Sequence, residues 1–243
     1  MGRLDDKVAL VTGASRGIGR GIAVGLAGEG ARLVLAARDA KALKETEAKV
    51  VAQGSEALVV PTDVTSEEDI TRLFAKTMQR FSRLDILVNS AGAFDGGSID
   101  QLTTEAWDRV VAVNLRAPFL CTRAAFRIMK KQGDGRIINI GSIAGQRVRP
   151  NSAPYSSTKF GITGLTHVTA LEGRECGITC GCLHPGNTFV ERRVDASQAK
   201  NAEPMMTVEE LAQAAVYMAC QPPHVNVLEL IQLPRDQLYI GRG

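Results

Sequence analysis

Short apolar runs alternate with longer amphipathic runs along nearly all of the 243 residues. The short runs are rich in branched residues, as in buried parallel strands, and the longer runs repeat apolar residues at helical spacing. This alternation predicts an α/β fold in which a doubly wound parallel sheet of about seven strands carries helices on both faces. The predicted strands span 7–12, 32–37, 57–61, 84–89, 135–141, 178–183 and 227–232, and the predicted helices span 17–29, 40–53, 67–81, 104–131, 152–175 and 207–220.

No linker, repeat or low-complexity stretch divides the sequence, so residues 1–243 are predicted to form one domain. In an open parallel sheet, ligands bind beyond the carboxyl ends of the strands. The polar and glycine-containing candidates of this chain follow that rule. At or just after predicted strand ends lie Gly13, Arg38, Asp63, Gly92, Ser142 and Gly186.

Composition narrows the classes of function. A net charge of +3 is too small to indicate nucleic-acid or membrane binding. Five cysteines without a Cys-x-x-Cys pair, and no secretory segment at the N-terminus, predict reduced thiols in a cytoplasmic protein.

Cys180, Cys182 and His184 alternate along one run and could face one ligand. The run fits a buried strand better, and we predict no metal site.

A glycine-rich turn follows the first predicted strand. Its spacing is Gly-x-x-x-Gly-x-Gly, and an amphipathic helix comes directly after it. Strand, turn and helix in this order form the context of a dinucleotide-binding site, where glycines let the backbone approach a pyrophosphate at the helix N-terminus. The turn residues predicted to contact the cofactor are Gly13, Ser15, Arg16, Gly17, Ile18 and Gly19.

The end of the second predicted strand indicates which dinucleotide binds. An acidic residue there usually accepts from the ribose 2′-hydroxyl of NAD. Here Ala37 takes that place and Arg38 follows, and an arginine can hold a 2′-phosphate. Arg16 could add a second cation. We therefore predict NADP(H) rather than NAD(H). Two solvated arginines are the alternative, and Asp39 could instead turn toward the ribose.

A proton-transfer unit is predicted around Tyr155. Lys159 lies four residues further on, so both side chains share one face of a helix. The ammonium would favour the phenolate form, which suits a phenol to act as acid or base near neutral pH. Ser142, after an apolar run, could hydrogen-bond the same substrate oxygen. A solvated tyrosine–lysine pair is the alternative.

Further motifs occur in a fixed order with these two clusters. They are Thr62-Asp63-Val64, Asn89-Ser90-Ala91-Gly92, Val113-Asn114-Leu115 and Pro185-Gly186-Asn187-Thr188. Together with the glycine turn and the tyrosine unit, they resemble the classical short-chain dehydrogenase/reductase family over roughly residues 4–220. That resemblance implies a Rossmann-like domain. It also implies further cofactor contacts from Asp63 (to the adenine ring), Val64, Asn89, Ala91, Gly92, Tyr155, Lys159, Pro185, Gly186 and Thr188.

The resemblance implies an activity as well. Asn114 would complete a catalytic tetrad with Ser142, Tyr155 and Lys159 and hold a water of the proton relay. The expected protein is an NADP(H)-dependent oxidoreductase (EC 1.1.1.-) that interconverts a small-molecule carbonyl and a secondary alcohol. In the family, the helices that correspond to 104–131 and 152–175 pair between subunits, which implies a homodimer or homotetramer. A 3-oxoacyl-[acyl-carrier-protein] reductase and a catalytically silent nucleotide-sensing or scaffold protein are the alternatives.

Two departures from the family pattern stand out. Ser90 replaces the second asparagine of its motif, and the C-terminus lacks the Val-Asp-Gly-Gly-like ending of many bacterial ketoacyl reductases. The atypical ending argues against the ketoacyl alternative. The substrate wall is expected from loops 93–98, 143–151 and 187–205. Their arginines could attract an anionic substrate or form a solvated basic rim, and they are Arg147, Arg149, Arg192 and Arg193.

Overall fold

A computed structural model describes residues 2–191 and 203–239. Seven parallel strands form one sheet in the order β3-β2-β1-β4-β5-β6-β7. The strands are β1 Val8–Thr12, β2 Arg32–Ala37, β3 Ala57–Pro61, β4 Ile86–Asn89, β5 Gly135–Ile140, β6 Ile178–Pro185 and β7 Glu229–Gln232. The helices are α1 Gly17–Gly28, α2 Ala40–Ala52, α3 Glu67–Phe81, α4 Thr104–Val111, α5 Ala117–Gln132, α6 Ala153–Gly173 and α7 Val208–Ala219.

Apolar residues on successive strand positions pack on opposite faces of the sheet. On β1, Ala9 and Val11 join the cluster that contains α1 and α7, whereas Val8 and Leu10 join the cluster that contains α3 and α5. A strand buried on both faces needs apolar residues at every position, which is why these strands read as continuous apolar runs. The predicted doubly wound parallel sheet is confirmed.

The chain order changes direction in the sheet between β1 and β4, because β2 and β3 lie on one side of β1 and β4 to β7 on the other. Such a switch point leaves a crevice beyond the carboxyl ends of the strands, where ligands bind in folds of this kind. The loops that follow β1, β2, β4, β5 and β6 therefore converge on one edge of the sheet. None of the helices in the described parts of the chain is both long and apolar enough to cross a membrane.

One predicted element differs from the structure. The continuous helix predicted over 104–131 is two α-helices, α4 and α5, joined by a π-helical turn at Ala112–Arg116. The π-turn adds one residue per hydrogen-bonded ring, so it rotates the face that follows it without ending the helix. Such turns are frequent at functional sites, and this one contains Asn114.

Candidate active site

The glycine turn after β1 is closely packed against the loop after β4. Gly13 has a φ of +69°, and a side chain there would bring a Cβ within 2.8 Å of the Ala91 Cα. A Cβ on Gly19 would lie 2.3 Å from the Gly13 carbonyl oxygen. Thr12 fixes the contact, because its hydroxyl oxygen accepts from the backbone N–H groups of Ser90 and Ala91, both at 3.1 Å. The turn can therefore bring backbone, rather than side chains, to a ligand.

The cations predicted to recognise a 2′-phosphate are exposed at the expected edge. Arg16 lies directly before α1, and Arg38 follows the last residue of β2. Within the described residues, neither guanidinium has a hydrogen bond or an ion pair with another side chain. Asp39, which could have turned toward a ribose, instead caps α2, and its Oδ1 accepts from the Ala42 N–H at 3.0 Å. The two arginines are thus available to an anion.

Asp63 follows β3 and is held in a fixed orientation. Its Oδ1 accepts from the backbone N–H of Thr65 at 2.9 Å and from the Thr65 hydroxyl at 2.8 Å. Its own N–H donates to Asp69 Oδ2 at 2.9 Å. These contacts leave Oδ2 of Asp63 to accept from a ligand, as an adenine amino group would require. Val64 beside it is 8% exposed.

Tyr155 and Lys159 lie in the first turns of α6, which faces the carboxyl end of β5. Lys159 is only 6% exposed, and its Nζ donates to the Ile140 carbonyl oxygen at 2.7 Å. The same Nζ lies 5.6 Å from the centroid of the Tyr155 ring. Phe94 also packs edge-on against that ring, with centroids 5.2 Å apart. The phenol is half-buried between a cation and an aromatic wall.

Ser142 lies two residues after β5 and begins a single 3-10 turn, Ile143–Gly145. Its Oγ accepts from the Ala144 N–H at 3.1 Å, which leaves the hydroxyl proton for another acceptor. The turn packs directly on α6, because a Cβ on Gly145 would lie 2.4 Å from the Lys159 carbonyl oxygen. The structure therefore brings the Ser142 turn against the helix that carries Tyr155 and Lys159.

Asn114 projects from the π-turn and joins two loops of the site. Its Oδ1 accepts from the Ala93 N–H at 2.7 Å, and its Nδ2 donates to the Ala93 carbonyl oxygen at 2.9 Å. Nδ2 also lies 3.3 Å from the Thr158 hydroxyl on α6. Because both amide hydrogens and one lone pair of Oδ1 are engaged, the side chain clamps the β4 loop to α6.

Asn89 lies at the end of β4, but its side chain points away from the turn. Nδ2 donates to Asn139 Oδ1 at 2.8 Å and to the Thr122 hydroxyl at 3.2 Å, within a buried polar network. Asn139 continues this network to Thr166 on α6. The Nδ2 of Asn89 thus ties the sheet to its helices, while its Oδ1 is buried without a hydrogen-bond partner among the described residues.

The segment Pro185–Thr188, which is predicted to contact the cofactor, begins at the end of β6 and is held by a residue near the C-terminus. The backbone N–H of Asn187 donates to Gln237 Oε1 at 2.8 Å, and a Cβ on Gly186 would lie 2.4 Å from the same oxygen. Thr188, which is 4% exposed, forms an isolated bridge with Met206. Gln237 was not among the predicted residues, because its partner lies 50 positions away and no local motif indicates the contact.

Glu191 is a second unpredicted residue of the site. Its Oε1 accepts from the backbone N–H of Gly17 at 3.4 Å, at the N-terminus of α1, and lies 3.8 Å from Arg20 Nη1. Val190 covers Gly17 next to it. A carboxylate therefore occupies the position where the free N–H groups and the helix dipole favour an anion.

The run with alternating cysteines is a buried strand, as interpreted from the sequence. Cys180, Cys182 and His184 on β6 are all 0% exposed. Burial raises the pKa of Cys182 to about 11, although the charge of Lys159 acts in the opposite direction, so its sulfur stays a thiol. Among the residues that the structure describes, no group of three or more His, Cys, Asp or Glu side chains could hold a metal ion.

Comparison with known proteins places this geometry in a family. Residues 7–201 match the family model described as short chain dehydrogenase. The chain belongs to the short-chain dehydrogenase family. It is 39% identical over 214 residues to a 3-oxoacyl-[acyl-carrier-protein] reductase of Synechocystis, a match that covers 88% of this chain and 85% of the relative.

Two solved structures agree with the fold of this short-chain dehydrogenase. A metagenomic short-chain oxidoreductase in complex with NADP is 33% identical, with a TM-score of 0.84 over 96% of this chain and 98% of the other. A putative gluconate dehydrogenase from Agrobacterium tumefaciens is also 33% identical, with a TM-score of 0.89 over 94% of this chain and 95% of the other. The protein is therefore an oxidoreductase of this family.

The expected substrate loops of this short-chain dehydrogenase, here called the mouth, expose apolar side chains and also carry paired charges. Phe94, Val148 and Phe189 expose 57%, 67% and 44% of their surface. Arg149 donates to Glu203 at 3.1 Å, and the Arg147 guanidinium lies 5.3 Å from the centroid of the Tyr239 ring. The expected basic rim is thus engaged with neighbouring side chains on this part of the mouth. Arg192 and Arg193 lie outside the described residues.

Proposed function

We propose that the protein is an NADP(H)-dependent oxidoreductase that interconverts a carbonyl compound and a secondary alcohol, with Tyr155 as general acid and base. The observation that carries the proposal is the nearly buried ammonium of Lys159 beside the Tyr155 ring, on the helix that packs against the Ser142 turn. Burial of a charge is costly, and such groups are retained where their charge has a use.

The chemistry follows from these three side chains. Ser142 and Tyr155 would hydrogen-bond the carbonyl oxygen, and Tyr155 would donate its proton as that oxygen becomes a hydroxyl. Lys159 would stabilise the phenolate that remains. In the direction of alcohol oxidation, the phenolate would accept the proton. NADPH, when bound, supplies the hydride. Asn114 would hold the β4 loop against α6, and the π-turn backbone beside it would hold the water that returns the proton to the tyrosine.

The residues present fit an anionic dinucleotide. The Glu191 carboxylate on the Gly17 N–H is an internal stand-in for a phosphate oxygen, and Gly13 and Gly19 let the turn pack where a Cβ would clash with neighbouring backbone. Arg16 and Arg38 would bind the 2′-phosphate, which favours NADP(H) over NAD(H). The metagenomic relative crystallised with NADP agrees with this choice. Asp63 would meet the adenine ring, and the segment Pro185–Thr188 the nicotinamide.

Glu191 should compete with the cofactor, because both present an anion to the α1 N-terminus. Glu191→Gln is expected to tighten NADPH and NADH binding alike by about two- to fivefold, since a charge at a helix N-terminus is worth roughly 0.3–1 kcal/mol. Fluorescence titration of each reduced nucleotide measures the effect. Glu209→Gln, an exposed change on α7, is the control and should leave both dissociation constants unchanged. An unchanged dissociation constant for Glu191→Gln would exclude the competition.

The test of the proposed function is turnover. The purified protein with NADPH is assayed against a panel of ketones, aldehydes and β-keto esters, and loss of the reduced nicotinamide is followed by absorbance. Consumption that depends on the carbonyl supports the proposal. Tight NADPH binding without turnover of any compound would instead favour the catalytically silent nucleotide sensor or scaffold.

A 3-oxoacyl-[acyl-carrier-protein] reductase is the second candidate, because the Synechocystis relative carries that name. An acyl carrier protein is acidic, and docking it would call for free cations at the mouth. Arg149 is paired with Glu203 there, which disfavours this candidate. The rates at which the enzyme reduces an acetoacetyl thioester of the carrier protein and of a small thiol are compared to separate the two proposals. A large preference for the carrier-bound form would support the ketoacyl reductase.

We also propose that subunits pair through α5 and α6. Both helices expose large apolar side chains, Phe119 on α5 and Phe160, Val168 and Leu171 on α6, each between 46% and 60% exposed. Large apolar side chains exposed together on neighbouring helices are typical of interaction sites. Sedimentation equilibrium should show a dimer or tetramer, and Leu171→Lys should lower the association constant. A monomer at all accessible concentrations would contradict the pairing.

A further inference from the structure

His184 lies near the end of β6, where its imidazole is wholly buried and contacts the backbone of Ser142. Its Nδ1 lies 3.1 Å from the Ser142 carbonyl oxygen, and the residue is 0% exposed. A carbonyl oxygen can only accept, so Nδ1 must carry the proton. The approach depends on Gly141, because a Cβ there would lie 2.6 Å from Nδ1. Because Gly141 has no side chain, the His184 ring fits directly beside Ser142.

The other side of the ring faces a carboxylate. Glu229 Oε2 lies 3.2 Å from Nε2, but outside the direction of a good hydrogen bond. Cys182 on β6 pairs with Glu229 on β7, and alternate positions share a face, so Glu229 and His184 meet on one side of the sheet. His167 Nε2, at 2.9 Å from Oε1, holds the carboxylate in place. The ring is therefore confined between a carboxylate and the Ser142 carbonyl.

The Ser142 carbonyl is the centre of the turn that orients the serine side chain. It accepts from the Gly145 N–H at 2.9 Å as well as from His184, while the Ser142 Oγ accepts from the Ala144 N–H. Rotation of the peptide after Ser142 would break both carbonyl contacts and disturb the turn, whose Ala144 N–H is bonded to the serine Oγ and so helps to fix its direction. The imidazole opposes that rotation from the buried side, and the turn opposes it from the other.

We propose that His184 is a positioning residue for Ser142, because its Nδ1–H holds the carbonyl of the turn that presents the serine hydroxyl to the substrate. His184 itself touches no substrate. This inference rests on the proposed function, in which Ser142 hydrogen-bonds the reacting oxygen. Misplacement of a catalytic group by about 1 Å can cost on the order of 10²-fold in rate.

The kinetic test compares two replacements of His184. His184→Leu fills the space but donates no hydrogen bond, whereas His184→Asn keeps an N–H near the position of Nδ1. With NADPH and ethyl acetoacetate as the probe substrate, kcat should fall by roughly 10–100-fold in the leucine variant and largely recover in the asparagine variant. The dissociation constant of NADPH should stay unchanged in both. Equal losses of kcat in the two variants would show that the ring contributes packing alone and would overturn the proposal.

A double-mutant cycle tests whether the effect passes through the serine. In a Ser142→Ala background the hydroxyl that His184 positions is gone, so His184→Leu should cause little further loss of kcat. Additive losses in the double variant would overturn the proposal, because they would mean that His184 acts on another group.

Amide hydrogen exchange tests the contact without any substrate. The Ala144 and Gly145 amides are bonded to Ser142, so they should exchange faster in His184→Leu than in the wild type, with His184→Asn close to the wild type. Cys180→Ala, a change elsewhere on the same buried strand, is the control and should leave both amides unaffected. Unchanged exchange in His184→Leu would overturn the positioning role. A wild-type protein that reduces no carbonyl would overturn the proposed function while this exchange result still stands.

Discussion

Replacement of Tyr155 by phenylalanine is expected to lower kcat by roughly 10²–10⁴-fold, which is the usual worth of a positioned general acid. The ring keeps its packing against Phe94 and Lys159, so the change removes the hydroxyl and little else. NADPH should bind with an unchanged dissociation constant, because the proton is needed only in the chemical step. Single-turnover rates at saturating NADPH measure the loss.

The matched control is Tyr217→Phe. Tyr217 lies on α7, is 51% exposed and has no contact with the site, so its loss of a hydroxyl should not affect turnover. Wild-type turnover in Tyr155→Phe would remove the tyrosine from the mechanism. A comparable loss in both variants would indicate a general fault of the protein preparation rather than a missing acid.

Replacement of Arg38 by aspartate is expected to weaken NADPH binding by roughly 10–100-fold, because a charge-assisted hydrogen bond contributes roughly 1.5–3 kcal/mol. NADH lacks the 2′-phosphate, and its ribose hydroxyls can donate to the new carboxylate, so its affinity should stay constant or rise. Asp39 keeps its role as the cap of α2 and does not compensate. Fluorescence titrations with both reduced nucleotides measure the change in selectivity.

Arg174→Asp provides the control for a change of net charge. Arg174 is exposed and lies just before β6, at the edge of the sheet opposite to the cofactor edge. It should alter neither dissociation constant beyond a small and equal electrostatic effect. Equal weakening of NADPH and NADH by Arg38→Asp would mean that Arg38 does not contact the 2′-phosphate.

The fold was predictable because its signals are local. A strand buried on both faces is apolar at nearly every position, as at residues 8–11, and the turn after it contains glycine where φ is positive, as at Gly13. The interruption of the long helix was not predictable in this way. At the π-turn, Asn114 contacts Ala93, which lies 21 residues away, and the helical periodicity of the sequence continues across the turn.

Within the site, side chains that act on neighbouring residues were predictable and those that act across the fold were not. Tyr155 and Lys159 are one helical turn apart, so their proximity could be read from spacing. Glu191 meets Gly17 over a separation of 174 residues, and His184 meets Ser142 over 42. The motif predicts Asn89 as a cofactor contact, but it does not indicate the bond from the Asn89 side chain to Asn139, which lies 50 residues away.

The measurement that tests the central claim most directly is transfer of deuterium from NADPH labelled at nicotinamide C4 to a carbonyl substrate, with detection of the labelled alcohol by mass spectrometry. NADPH labelled on either face of the ring is used, and each is compared with the corresponding NADH. The account predicts one deuterium on the carbinol carbon, from one face of NADPH only, and its near disappearance in Tyr155→Phe. Labelled alcohol at the same rate in Tyr155→Phe, or no label from either nucleotide with any carbonyl, would contradict it.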